Sequence, residues 1–131
     1  MKMRTLGRTG WQVSEVGIGG EHLEKVDRET VMKVMDECDR CGMNIIDIFM
    51  SNPSVRTDIG IALKGRRERF IIQGHIGAAW DGAQYFRTRD AKICREAFSD
   101  LLELLQTDYI DIGMIHYIFK YTIIFINLFR V

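Results

Sequence analysis

Four short apolar runs in this chain each lead into a residue that can do chemistry. Val16-Gly17-Ile18-Gly19-Gly20 is followed by Glu21 and His22, Asn44-Ile45-Ile46 by Asp47, Phe70-Ile71-Ile72-Gln73-Gly74 by His75, and Tyr109 to Ile115 by His116. Each run reads as a buried strand. The carboxylates and all three histidines are therefore expected on one side of a sheet, at the C-terminal strand ends where α/β folds carry their sites. Two chemistries suit such a set. The residues can be acid–base groups around a carbonyl substrate. Alternatively, two histidines and a carboxylate can bind a metal. Spacing alone leaves both open, and a strand-end aspartate also serves as an ordinary cap. Gly19 and Gly20 leave room for another backbone or a ligand to approach.

The cysteines carry less. Cys38-Asp39-Arg40-Cys41 is a C-x-x-C motif, but it is expected at a helix C-terminus, where the dipole and the enclosed acid both disfavour a thiolate. With no second pair to complete a zinc site, the cysteines read as structural.

Local signals place the elements that must position these residues. Residues 2–14 read as a hairpin about the turn Gly7-Arg8-Thr9-Gly10. Asp27 caps a first helix with Val31, Val34, Met35 and Cys38 on its buried face and Gly42 as its left-handed stop. Asn52-Pro53 starts a second helix, which buries Val55, Ile59, Ala62 and Leu63 and ends at Gly65. Gly77 to Arg87, with Trp80, Tyr85 and Phe86, reads as a long loop whose aromatics pack over the sheet edge or bind a ligand. Thr88 is the expected cap of a third helix with Ile93, Ala97, Leu101, Leu104 and Leu105 inward. A hairpin followed by alternating strands and helices implies an α/β fold with a parallel sheet and right-handed crossovers.

Composition narrows the classes. With 18 basic and 18 acidic residues among 131, the chain lacks the net positive charge of a nucleic-acid or anionic-membrane partner. No apolar run approaches the ~20 residues of a membrane helix. The polar start Met1-Lys2-Met3-Arg4-Thr5 and three cysteines fit a cytoplasmic protein. Residues 118–131 differ from the rest, with no glycine, no acid and high β-propensity. They are expected to be a tail foreign to the preceding fold, as an out-of-frame extension would be.

Three stretches carry a resemblance to a known family: Arg4-Thr5-Leu6-Gly7-Arg8-Thr9-Gly10 with Val13-Ser14; Asn44-Ile45-Ile46-Asp47; and Leu101-x-x-Leu104-Leu105-Gln106-Thr107-Asp108-Tyr109-Ile110-Asp111 leading to Ile115-His116. Over residues 1–117 the chain resembles the aldo-keto reductases, closest to the predicted oxidoreductases that often carry a C-terminal iron–sulfur domain. No cysteine cluster of that kind is present.

The resemblance implies half of a (β/α)8 TIM barrel, with the hairpin, about four parallel strands and three helices. It also implies NADP(H) as cofactor and a small carbonyl substrate. The family's catalytic Asp, Tyr, Lys and His fall here on Asp47, Asn52, His75 and His116. Asparagine has no titratable proton and cannot replace the tyrosine as an acid, which leaves His75 as the expected proton donor beside Asp47. Gly19, Gly20 and Asp47 are the expected cofactor contacts; most of the family's others lie beyond the matched half.

The primary reading is therefore a truncated aldo-keto-reductase-like oxidoreductase, inactive alone, with residues 1–117 as the half barrel and 118–131 as the tail. A metal-binding remnant using His22, His75, His116 and Asp47 or Glu21 is the first alternative. A non-catalytic module needing a partner to complete its barrel is the second. Open sheet edges predict self-association.

Overall fold

The computed structural model describes residues 1–115. Its centre is a parallel sheet of four strands in the order β3 (Ile18–Gly19), β4 (Ile45–Ile48), β5 (Ile71–Ile76) and β8 (Ile112–Ile115). The register pairs Ile18 with Ile46, Asp47 with Gln73, and His75 with Met114. The four strands lie side by side in chain order, as consecutive elements usually do. Side chains alternate across each strand. Ile46, Ile48 and Ile72 point to the helical side and are fully buried. Ile45, Asp47, Ile71, Gln73, Ile112 and Met114 share the opposite face, which is only partly covered among the described residues.

The helices form where capping chemistry and apolar periodicity agree. In α1 (Arg28–Cys41) the Asp27 carboxylate accepts from the Thr30 N–H at 2.8 Å. Gly42, at φ 75°, ends the helix in the left-handed conformation that glycine adopts without strain. Val31, Met35 and Cys38 supply its buried face. In α2 (Pro53–Leu63) the Asn52 side chain accepts from Ser54 N–H at 2.9 Å, and Val55, Ile59, Ala62 and Leu63 are buried. Gly60 lets α3 (Ala91–Leu105) come close: a β-carbon there would lie 2.6 Å from the Leu104 carbonyl oxygen.

The antiparallel hairpin β1 (Met3–Thr5) and β2 (Gln12–Ser14) docks at the N-terminal end of β4. Asn44 clips it there. Its Oδ1 accepts from Ser14 N–H, its own N–H is donated to Ser14 Oγ, and its Nδ2 donates to the Gln12 carbonyl.

Several expected boundaries move. β4 and β5 run on past Asp47 and His75, so both residues lie inside strands rather than after them. The last strand begins at Ile112, three residues after Tyr109, and Asp111 just before it ties the segment to β5 and to Arg67. Its Oδ2 accepts from Ile72 N–H at 2.8 Å and from Arg67 Nη2 at 2.8 Å, and the Arg67 guanidinium stacks 4.1 Å from the Tyr109 ring.

The stretch expected as an irregular loop is a second hairpin, β6 (Ala78–Trp80) with β7 (Tyr85–Arg87). It turns on Asp81, whose Oδ1 accepts from Ala83 and Gln84 N–H. The cap of α3 is Asp90, which accepts from both Lys92 and Ile93 N–H. Thr88 instead accepts from Asp90 N–H. The fully buried line on α3 is Cys94, Leu101 and Leu105, while Ile93, Ala97 and Leu104 are half-buried. His116 and the tail 118–131 lie outside the described residues.

Candidate active site

Residues 47, 73 and 75 meet because β4 and β5 are adjacent and in register. Asp47 is paired with Gln73, and the two-residue repeat of a strand puts His75 on the same face. Gln73 Nε2 donates to Asp47 Oδ1 at 2.9 Å, and His75 Nε2 lies 2.8 Å from the same oxygen. A carboxylate oxygen accepts, so the imidazole carries its proton on Nε2 and donates it. The His75 side chain is 6% exposed and that of Asp47 is 43% exposed. The pair thus consists of a held imidazole and a carboxylate reaching into the open.

Aromatic rings wall in the histidine. Phe49 meets the His75 ring edge-on, with centroids 5.2 Å apart, and Tyr85 of the second hairpin lies 5.0 Å from Phe49. The segment carrying Phe49 is fastened twice. Ser51 Oγ donates to the Ala79 carbonyl at 2.7 Å, and the buried Arg56 Nε donates to the Met50 carbonyl at 2.9 Å. Phe49, Gln73 and Arg56 were not singled out from the sequence, whereas Tyr85 was named among the aromatics expected to pack over the sheet edge or bind a ligand. Gln73 and Phe49 carried a signal: each lies two residues from a chosen residue along an extended strand, hence on its face. Tyr85 arrives by long-range packing that no local pattern records, and Arg56 by folding back from α2 onto Met50, six residues earlier.

Asp47 and Gln73 line a cleft of about 450 Å³ with Glu15, Gly17, Gly19 and Ile45. Of the residues expected to contact a cofactor, Gly19 and Asp47 are at this cleft, and a β-carbon on Gly19 would meet nothing within 4 Å. Gly20 serves the protein itself. A β-carbon there would lie 2.7 Å from the Met50 methyl and 3.3 Å from the Asp47 carbonyl.

The other candidates do not join this group. Glu21 and His22 sit in a 3-10 turn, Gly20–Lys25, which carries His22 into a groove against α1 with Leu23, Val34 and Cys38. Among the described residues no set of three or more His, Cys, Asp or Glu converges as a metal site. Asn52 spends its side-chain oxygen on capping α2. Burial pushes the Cys38 and Cys94 thiols up, so both resist forming thiolates. Within the C-x-x-C pair Cys38 is buried and Cys41 is half-buried. No helix among the described residues is long and apolar enough to cross a membrane.

Comparison with known proteins gives the arrangement a context. The family model described as the Aldo/keto reductase family matches residues 15–127. The chain is 31% identical over 121 residues to the uncharacterized oxidoreductase YqkF of Bacillus subtilis, covering 88% of this chain and 39% of that protein. It is 28% identical over 126 residues to the NADH-specific methylglyoxal reductase of Escherichia coli, covering 86% of this chain and 39% of that one. The holo form of aldo-keto reductase AKR11C1 from Bacillus halodurans superposes with a TM-score of 0.77 at 33% identity, over 88% of this chain and 40% of that structure. The chain therefore spans about two-fifths of the length of these relatives.

Proposed function

Because this chain belongs to the aldo/keto reductase family, we propose that the face formed by Asp47, Gln73 and His75 is the proton-donating side of a nicotinamide-dependent carbonyl reductase. The observation that carries this reading is the 2.8 Å bond between His75 Nε2 and Asp47 Oδ1 at the C-terminal end of the parallel sheet. NADP(H) is the proposed cofactor and a small aldehyde or ketone the proposed substrate.

The cleft fits a nicotinamide end. Gly19 presents bare backbone with open space above it, so a flat ring can lie close. Asp47 and Gln73 offer an acceptor and a donor to ribose hydroxyls. When bound, the cofactor supplies hydride to the carbonyl carbon.

The chain's own residues do the rest. Asp47 fixes the imidazole through the bond to Nε2. His75 holds the proton that the carbonyl oxygen takes up. Phe49 and Tyr85 keep water from one side of the ring. Asn52, with its oxygen on the helix cap and no acidic proton, takes no part in the transfer. His116 is proposed to orient the carbonyl oxygen. Reduction is expected only with the sheet closed into a barrel, since four strands leave one side of the cleft open; the 131-residue chain alone is read as inactive.

The test is cofactor binding. NADPH titrated into the chain should enhance nicotinamide fluorescence saturably, and Asp47→Asn should weaken binding about tenfold, the loss of one charge-assisted hydrogen bond. An unchanged spectrum in the parent would overturn the proposal. In a barrel completed with the C-terminal strands of the Bacillus subtilis relative, His75→Gln should bind as the parent does and lose ~10²–10⁴ in carbonyl reduction. Equal rates in the two would remove His75 as donor.

A further inference from the structure

Three sulfur atoms gather where α1 ends. Cys38 and Cys41 stand three residues apart in its last turn, and residues at that spacing are neighbours on the helix surface. Gly42 then reverses the chain in its left-handed conformation, and the Met43 N–H is donated to the Cys38 carbonyl at 2.8 Å. This fold-back lays the Met43 thioether on the Cys38 thiol, with Sγ and Sδ 3.8 Å apart. Cys41 Sγ lies 3.4 Å from the Cys38 carbonyl oxygen, a weak S–H contact that rotation about one side-chain torsion gives up. All three side chains line one open groove of about 620 Å³ between α1 and β3. The contact of Cys38 with Met43 is ordinary packing at such a helix end. Packing does not account for a second thiol on the same groove, half-buried at its wall.

We propose that Cys38, Cys41 and Met43 form a three-sulfur site for a soft monovalent cation, Cu(I). Thiolate and thioether are the ligands that such an ion selects, and three of them fall short of the four that structural zinc takes. Sulfurs about 2.3 Å from one metal centre, set in a triangle, stand roughly 4 Å from one another. Cys38 Sγ and Met43 Sδ already have that spacing. His22 also lines the groove. Among the described residues, however, no three His, Cys, Asp or Glu converge, so the third ligand is the thioether. Binding displaces the protons of both thiols and leaves the centre with one negative charge. Arg66, whose charge favours the Cys38 thiolate, offsets it. Burial keeps the Cys38 thiol protonated in the free chain, so the pair takes up metal without acting as a redox couple.

The experiment uses the full 131-residue chain, reduced and free of oxygen. Cu(I) titrated in competition with the chromogenic chelator bicinchoninate should leave the chelator until one ion per chain is bound. X-ray absorption at the copper edge should count three sulfur neighbours at about 2.3 Å. Retention of all copper by the chelator would overturn the proposal. So would a nitrogen neighbour, which would put His22 in place of a sulfur.

Two variants test the ligands one by one. Cys41→Ser, a near-isostere at a half-buried position, should lose the ion, and a variant that keeps it would remove Cys41 from the site. Met43→Leu preserves an apolar contact with Cys38. It should weaken binding by more than about tenfold, since even partners outside the ligand shell are worth that much. Affinity equal to the parent's in Met43→Leu would leave two thiols as the whole site and sink the three-sulfur assignment.

Discussion

Arg56 shows how a single buried residue shapes the site without touching it. It is 2% exposed, holds the Met50 carbonyl, and leaves Nη2 without a hydrogen-bond partner among the described residues. Burial lowers its pKa to about 10, against the opposing pull of Asp100 and Glu24. It is still a cation at neutral pH, so folding carries its desolvation cost. Above about pH 10 the folded side chain loses its proton before the unfolded one does, so this residue's contribution to stability rises with pH there. Replacing a buried charge with an apolar side chain of like size is often neutral or stabilising. Arg56→Met is therefore expected within about 1 kcal/mol of the parent in urea unfolding, whereas Arg56→Ala, which leaves a cavity, should lose at least about 2 kcal/mol. Equal losses would mean that the bond to Met50, not the packing, holds the segment bearing Phe49.

At the scale of elements, α3 is placed by a cap two residues later than the sequence suggests. Thr88 and Asp90 are both good capping residues, and local propensity does not rank them here. The structure does. Asp90 takes two helix N–H groups, while Thr88 takes the N–H of Asp90 and passes its own N–H to the Gly77 carbonyl, at the base of the second hairpin. Asp90→Ala should accordingly cost about 1 kcal/mol and Thr88→Ala less than half of that, by thermal or urea melts of the two variants. The reverse order would return the helix start to Thr88. The hairpin itself escaped the sequence because its strands have three residues each, too few for a period to show.

For the whole molecule, the expected self-association through open sheet edges would link stability to concentration. Association that requires the folded sheet adds to the unfolding free energy as protein concentration rises. The urea midpoint of the 131-residue chain should therefore move upward between one and one hundred micromolar. A midpoint fixed across that range would show that the sheet is stable with its edges as they are.

Apart from the second hairpin, the strands and helices, their order and the face each residue takes were legible in the sequence, because alternation and capping are local and repeat within a few residues. Asp27, Gly42 and Asn52 act as their types predict, and two of the three stretches that carry the family resemblance, 44–47 and 101–116, lie within the match to residues 15–127. Asp47 and His75 were legible as candidates for the same reason. What brings them to 2.8 Å is the pairing of β4 with β5 in one register. That is a contact between residues 28 apart, which no local period encodes. The same long-range geometry takes His22 away with the 3-10 turn, spends Gly20 on Met50, and brings Tyr85 to Phe49. A strand's own residues determine which face each side chain takes; only the folded sheet decides which strand lies beside it.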